Sequence, residues 1–168
     1  DGKTFERLID FSDHLKNRLF EFLEIKDEIN PQLIKSSEFK GYDSDPDELK
    51  LAALKSVRDN PWFTEREVSK AILNIRQSLL EETLLEDWLI DYRIVNTRPK
   101  SVGLILAGNI PAVGFHDIIC VYLSGHIAKV KLSQKDTHLI KAIVQQLDTY
   151  DPNTLRQIQF TERLGKVD

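Results

Sequence analysis

One stretch constrains this chain more than any other. Between Ser101 and Lys131 the only Asp, Glu, Lys or Arg residues are Asp117, Lys129 and Lys131, and Gly103, Gly108, Gly114 and Gly125 are spaced through it. Such a segment must be buried, and its glycines let backbone come close to backbone. Val102–Leu106 is a five-residue apolar run, short enough for a buried parallel strand. A turn with Gly108, Asn109 and Pro111 follows, and then a short helix from about Val113 to Leu123. Ser124-Gly125 ends that helix, with Gly suited to the left-handed position after the last turn. Ile127–Val130 reads as the second strand. Ser133-x-x-Asp136 resembles a capping box for a further helix with the stripe Leu139, Ile140, Ile143, Val144 and Leu147. Gln157–Phe160 reads as a third strand. The apolar window 102–123 is about long enough to span a bilayer. Asn109, Pro111, His116 and Asp117 in its middle are each costly or disruptive in lipid, so no membrane span is expected.

The residues before this stretch have a different character. Residues 1–100 carry 16 Lys+Arg and 21 Asp+Glu, net -5; residues 101–168 carry 7 and 6, net +1. The front is helical by period. Phe5, Leu8, Ile9, Leu15, Leu19, Phe22 and Leu23 recur at three- and four-residue steps. Residues 26–44 read as an exposed connector. Asp45-Pro46-Asp47-Glu48 starts a helix expected to run to about Asp59. Asn60-Pro61 breaks it, and Trp62-Phe63 reads as a core anchor between helices. Thr64-x-x-Glu67 is a capping box for the next helix, whose stripe is Val68, Ala71, Ile72, Ile75, Leu79 and Leu80. Leu84, Leu85, Trp88, Leu89 and Tyr92 continue the period after a kink. The expected fold is therefore α/β: a helical region over 1–100, then the first βαβ units of a parallel-sheet domain over 101–168.

Composition narrows the chemistry. A formal net charge of -4 gives no electrostatic reason to expect nucleic acid as a partner. The one cysteine, Cys120, excludes an internal disulfide framework and any multi-cysteine metal site. A lone thiol and the lack of a visible signal peptide fit a reducing, cytoplasmic compartment. His14, His116, His126 and His138 are scattered without metal-ligand spacing, so no metal is expected. Cys120, among Ile118, Ile119 and Val121, reads as a buried, inert thiol. The sequence has no methionine, even at position 1, which reads as a processed or excised piece.

Two features could carry chemistry. Asn109 follows the first strand, at the edge where open parallel sheets bind ligands. Its amide could donate to a carbonyl oxygen becoming an oxyanion. Spacing alone favours the plainer role of an Asn that closes a turn. Lys131 ends the second strand at the same edge, where its ammonium could reach a ribose hydroxyl or phosphate. Alone, a surface lysine beside a capping Ser133 is the simpler reading. Together the two point to one crevice. No G-x-G-x-x-G fingerprint is present.

The residues Asn60-Pro61-Trp62-Phe63-Thr64, Trp88-Leu89 and above all Ala107-Gly108-Asn109-Ile110-Pro111-Ala112-Val113-Gly114-Phe115-His116-Asp117 resemble the acyl-CoA reductase family typified by the fatty acid reductase of luminous bacteria. That family belongs to the aldehyde dehydrogenase superfamily. The resemblance implies a Rossmann-like cofactor domain and reduction of a long-chain acyl thioester to a fatty aldehyde through a cysteine thioester. It passes the oxyanion role to Asn109 and lays the backbone of Ile105, Leu106, Ala107 and Gly108 along a nicotinamide cofactor. Lys131 and Ser133 match the family's adenosine-ribose segment. Gln134 replaces its usual Glu, which makes NADPH plausible and NADH less so, because a neutral side chain repels a 2′-phosphate less. Leu132 replaces the segment's Pro.

The substrate implied is a fatty acyl-CoA or acyl-protein, and the intact enzyme is expected to be a homo-oligomer. In the family the nucleophilic cysteine comes well after the cofactor-binding half. The chain therefore reads as an N-terminal fragment, inactive by itself. The alternatives are a general NAD(P)-dependent aldehyde dehydrogenase and a non-catalytic helical interaction module.

Overall fold

The structure, a computed structural model, describes residues 48–90, 98–165 and 167. The expected helix over Phe5–Leu23, the connector over 26–44, the cap at 45–47 and Tyr92 lie outside the described residues.

Helix α1 spans Glu48–Asp59 and buries Leu49, Ala52, Ala53 and Ser56. It stops where expected, because Pro61 has no N–H to continue the ladder and disfavours helix in the residue before it. Asn60 holds the break: its backbone N–H donates to the Ser56 carbonyl at 3.1 Å, and its side-chain Oδ1 accepts from the Trp62 N–H at 3.1 Å. Helix α2, Glu65–Asn74, opens on the expected capping box. The Glu67 N–H donates to Thr64 Oγ1 at 3.2 Å, and the Thr64 N–H donates to Glu67 Oε2 at 3.0 Å.

The kink is a π turn over Ile75–Leu79, ahead of helix α3, Glu82–Ile90. A widened turn shifts the phase of the apolar stripe. Ile75, Leu80 and Leu85 are buried, whereas Leu84 and Ile90 face solvent. Phe63 is buried at 2% exposure, but Trp62 is 79% exposed, so only one of the two aromatics anchors the core. Pro61 and Trp62 form the corner of a turn closed by the Phe63 N–H donating to the Asn60 carbonyl at 2.9 Å, which leaves Trp62 at the outside of the bend and returns Phe63 to the core.

The second half is a parallel three-stranded sheet with helical crossovers, an α/β arrangement. Strand β1 is Ser101–Ile105, β2 is Ile127–Lys131 and β3 is Ile158–Phe160, in the order β1-β2-β3. Helix α4, Phe115–Leu123, joins β1 to β2. Helix α5, His138–Tyr150, and the short α6, Thr154–Gln157, join β2 to β3. Helix α4 begins two residues later than expected, because Ala112 has φ +53° and Val113 is still in the turn.

The exit of α4 is a Schellman motif: the His126 N–H donates to the Val121 carbonyl and the Gly125 N–H to the Tyr122 carbonyl, with Gly125 at φ +74°. In α5 the expected stripe Leu139, Ile140, Ile143, Val144 and Leu147 is fully buried. Its expected cap is not formed. The helix begins at His138, and Ser133 Oγ accepts instead from the Lys135 N–H at 3.3 Å, closing a local turn. Hydroxyls in this position compete for nearby backbone donors, and here the turn wins.

The two halves share one core. Buried side chains of α1, α2, α4, α5, β2 and β3 form a single cluster, with α1 packed on α5. At its rim Asn60 Nδ2 donates to the Lys135 carbonyl at 3.0 Å, and His138 Nε2 lies 2.9 Å from Asp59 Oδ2. Among the described residues no helix is long and apolar enough to cross a membrane.

Candidate functional site at the carboxyl edge of the sheet

Strands β1 and β2 run in register from Ser101 opposite Ile127 to Ile105 opposite Lys131. Their carboxyl ends are therefore level. The ladder continues one step further, since the Leu106 N–H donates to the Lys131 carbonyl at 3.0 Å. Pairing fixes the faces as well. Val102 and Leu104 lie opposite Ala128 and Val130; Gly103 and Ile105 lie opposite Lys129 and Lys131 on the other face. Ala128 and Val130 are fully buried, while Ile105 is 74% exposed and Lys131 is exposed. Lys131 thus stands on the open face at the end of its strand.

Beyond the strands the two connecting turns touch. A Cβ on Gly108 would overlap Ser133 Oγ and lie 2.6 Å from Ser133 Cβ, so only glycine lets the turns approach this closely. Gly114 packs as tightly on Leu106, where an added Cβ would fall 2.7 Å from Cδ1. These contacts bring the first turn, 106–114, against the second, 132–136. Gly108 and Leu106 are buried; Ala107, Asn109 and Gln134 are exposed, and Ser133 is half-buried. Neither the Asn109 amide nor the Lys131 ammonium makes a hydrogen bond among the described residues, so Asn109 does not close its turn through its side chain.

The turn is closed by a residue that periodicity does not single out for this role. Asp136 is 1% exposed, and its Oδ2 accepts from the Ala112 N–H at 2.6 Å. The Ala112 carbonyl in turn accepts from the Phe115 N–H at 3.0 Å. Oδ1 of Asp136 has no hydrogen-bond partner among the described residues. Burial pushes the Asp136 carboxyl up to about 6, with the Ala112 N–H pulling the other way. The Ser133-x-x-Asp136 spacing signals an aspartate that satisfies a backbone N–H, but an Asp directly before Thr137 and His138 has two possible jobs, and spacing cannot choose between them.

The helix after the turn carries His116, Asp117 and Cys120. The Cys120 Sγ lies 3.7 Å from His116 Nδ1, and the His116 ring lies 6.0 Å from that of Trp88. Cys120 is half-buried rather than fully enclosed. Burial and then the Asp117 charge push its thiol up, so it stays protonated and is not a ready nucleophile. Among the described residues no group of three His, Cys, Asp or Glu side chains could hold a metal ion.

Comparison with known protein families, with curated proteins and with solved structures finds no match to this chain.

Proposed function

We propose that this chain contributes the oxyanion donor and part of the cofactor edge of an NADPH-dependent acyl-thioester reductase acting on long-chain acyl-CoA, with a Rossmann-like cofactor domain. The observation that carries the reading is the level carboxyl edge of β1 and β2. It puts Asn109 just beyond one strand and Lys131 at the end of the next, with the turns locked together by Gly108 against Ser133. The residue types fit a nucleotide. Lys131 and Gln134 are exposed at one edge, a cation and a neutral amide suited to a phosphorylated ribose. Ile105 and Ala107 are exposed beside them.

When bound, NADPH supplies the hydride. The work of the chain's own residues is to hold and to polarise. The Asn109 amide donates to the thioester carbonyl oxygen and gains strength as that oxygen becomes negative in the tetrahedral intermediate. Lys131 neutralises phosphate charge, and the Ser133 hydroxyl and Gln134 amide offer ribose contacts. Attack on the acyl carbon needs a thiolate; Cys120 is unsuited, so the reading places the nucleophile outside these residues.

Assay of the full-length protein with palmitoyl-CoA and NADPH tests this. Asn109→Ala is expected to lower kcat by about 10²–10³ with the NADPH Kd unchanged. Lys131→Ala is expected to raise that Kd first. Wild-type turnover in Asn109→Ala removes Asn109 from the mechanism, and no NADPH fluorescence change with the unaltered protein overturns the reading.

A further inference from the structure

We infer that Asp136 is the positioning residue for Asn109, acting through the backbone of Ala112; the inference rests on the oxyanion role proposed above. Two buried aspartates in this half make the point by contrast. Asp151, 2% exposed, has both oxygens engaged: Oδ2 accepts from the Tyr122 hydroxyl at 2.6 Å and Oδ1 from the Asn153 N–H at 3.0 Å. That is how a buried carboxylate is normally kept. Asp136 is as buried but spends one oxygen on one N–H and leaves the other with none among the described residues. A carboxylate is a poor choice for that environment, since an apolar or amide side chain avoids the burial of charge.

What Asp136 does hold is the strained point of the loop. Ala112 is the only non-glycine with positive φ among the described residues. Left-handed backbone is unfavourable for an alanine and persists only where the surroundings impose it. Here they do so from both sides, the Ala112 N–H on Asp136 and the Ala112 carbonyl on the Phe115 N–H. Pro111, buried, fixes the preceding φ. Asn109 lies three residues before this fixed point and a single residue after buried Gly108. The amide is therefore presented from a span pinned at both ends, one end on Ser133 and the other on Asp136. Both pins belong to the turn that follows Lys131. The arrangement ties the position of the oxyanion donor to the strand that carries the cofactor lysine.

The test is a double-mutant cycle in the full-length protein, with palmitoyl-CoA and NADPH. Asp136→Leu, which removes the acceptor for the Ala112 N–H, is expected to lower kcat by about 10–10²-fold, the scale of a small misplacement of a reacting group. Asp136→Asn keeps a side-chain oxygen for that N–H and should retain most of the turnover, and the NADPH Kd should change in neither variant. In an Asn109→Ala background Asp136→Leu should cost nothing further, because its effect passes through the amide already removed. An equal loss in both backgrounds, or no loss in either, overturns the inference. Amide hydrogen exchange in the unaltered protein gives a reading that needs no variant: Ala112 should exchange far more slowly than Ile110, and equal rates overturn the clamp. An unaltered protein with no thioester reduction defeats the functional reading instead, while the exchange measurement still reports on Asp136.

Discussion

The helical hairpins of residues 48–90 and the α/β half of residues 98–165 are specified in different ways. In the first, element ends are set by side chains that satisfy orphan backbone groups: buried Asn60 at one break, exposed Thr64 and Glu67 at the next start, Glu81 accepting from the Leu84 N–H at 2.9 Å before α3. In the second, element ends are set by burial and by glycine. Gly125 closes α4, and Gly108 and Gly114 admit neighbouring turns. Polar caps near the surface can be exchanged at modest cost, whereas close-packed turns cannot. The candidate site sits wholly in the second regime, which gives its geometry a rigid frame.

The largest expected effect tests whether these regimes meet in one cooperative unit. Phe115 is fully buried at the start of α4. Phe115→Ala should cost about 3–5 kcal/mol, as truncations of large core aromatics do. Both tryptophans, Trp62 and Trp88, lie in the helical half, so their fluorescence reports unfolding there. Because α1 packs on α5 in a continuous core, the midpoint of the tryptophan signal in a urea titration should fall as far as that of far-ultraviolet circular dichroism. A tryptophan transition that stays in place would divide the molecule into two units.

A second effect contrasts one carboxylate from each half. Asp59, near the surface, is held down at about 2, first by the hydrogen bond from Arg58 and further by His138. Its stabilisation is present above its ordinary value of 3.8 and is lost as pH falls through about 2; with both partners exposed it is small. Asp136 runs the other way. Raised to about 6 from 3.8, it binds a proton in the folded protein where the unfolded chain does not. Its penalty is full above about 6 and is relieved as pH falls from there towards 3.8. Two pKa units correspond to ~3 kcal/mol. Unfolding free energy measured at pH 7.5 and 4.5 should show about 2 kcal/mol of that acid-side gain in the unaltered protein and not in Asp136→Asn. Equal pH profiles would mean that Asp136 is not buried as a carboxylate.

The difference between the halves also governs what could be read from residues alone. Strand positions, the glycine stop at 125 and the stripe of α5 follow from periodicity and backbone chemistry, and each was legible to within two residues. So was the capping box at Thr64. The errors cluster where one residue has two uses. Trp62 and Phe63 are equally apolar, and only the direction of the chain between helices decides which is buried. Ser133 and Asp136 have cap spacing, but a tertiary contact to Ala112, 24 residues earlier in the chain, claims the aspartate. The kink expected between the stripes of α2 and α3 is a π turn at 75–79, a form that period alone does not specify. For the site, the chain positions of Asn109 and Lys131 at a common strand edge were legible. The Gly108–Ser133 approach and the Asp136 clamp were not, because both join segments whose separation in sequence says nothing about their separation in space.

The smallest effect sharpens the contrast from the other side. Thr64 Oγ1 satisfies one N–H at the start of α2, and Glu67 returns the bond to the Thr64 N–H. The Thr64 N–H and hydroxyl hold the Glu67 carboxyl below its ordinary range, so the box is intact wherever that group is ionised. Thr64→Ala should cost about 1 kcal/mol, and Thr64→Ser or Thr64→Asp should recover most of it, since any short oxygen acceptor serves. The loss should leave the NADPH Kd untouched, because solvent can replace the missing acceptor and the strand edge is framed by glycine contacts instead. Gly108→Ala makes the converse comparison: one methyl group with no room beside Ser133 should move that Kd even where the thermal midpoint shifts no further than in Thr64→Ala. If the cap variant perturbs cofactor binding as strongly as the glycine variant, the two halves are not specified in separate ways, and the frame of the candidate site extends into the helical hairpin.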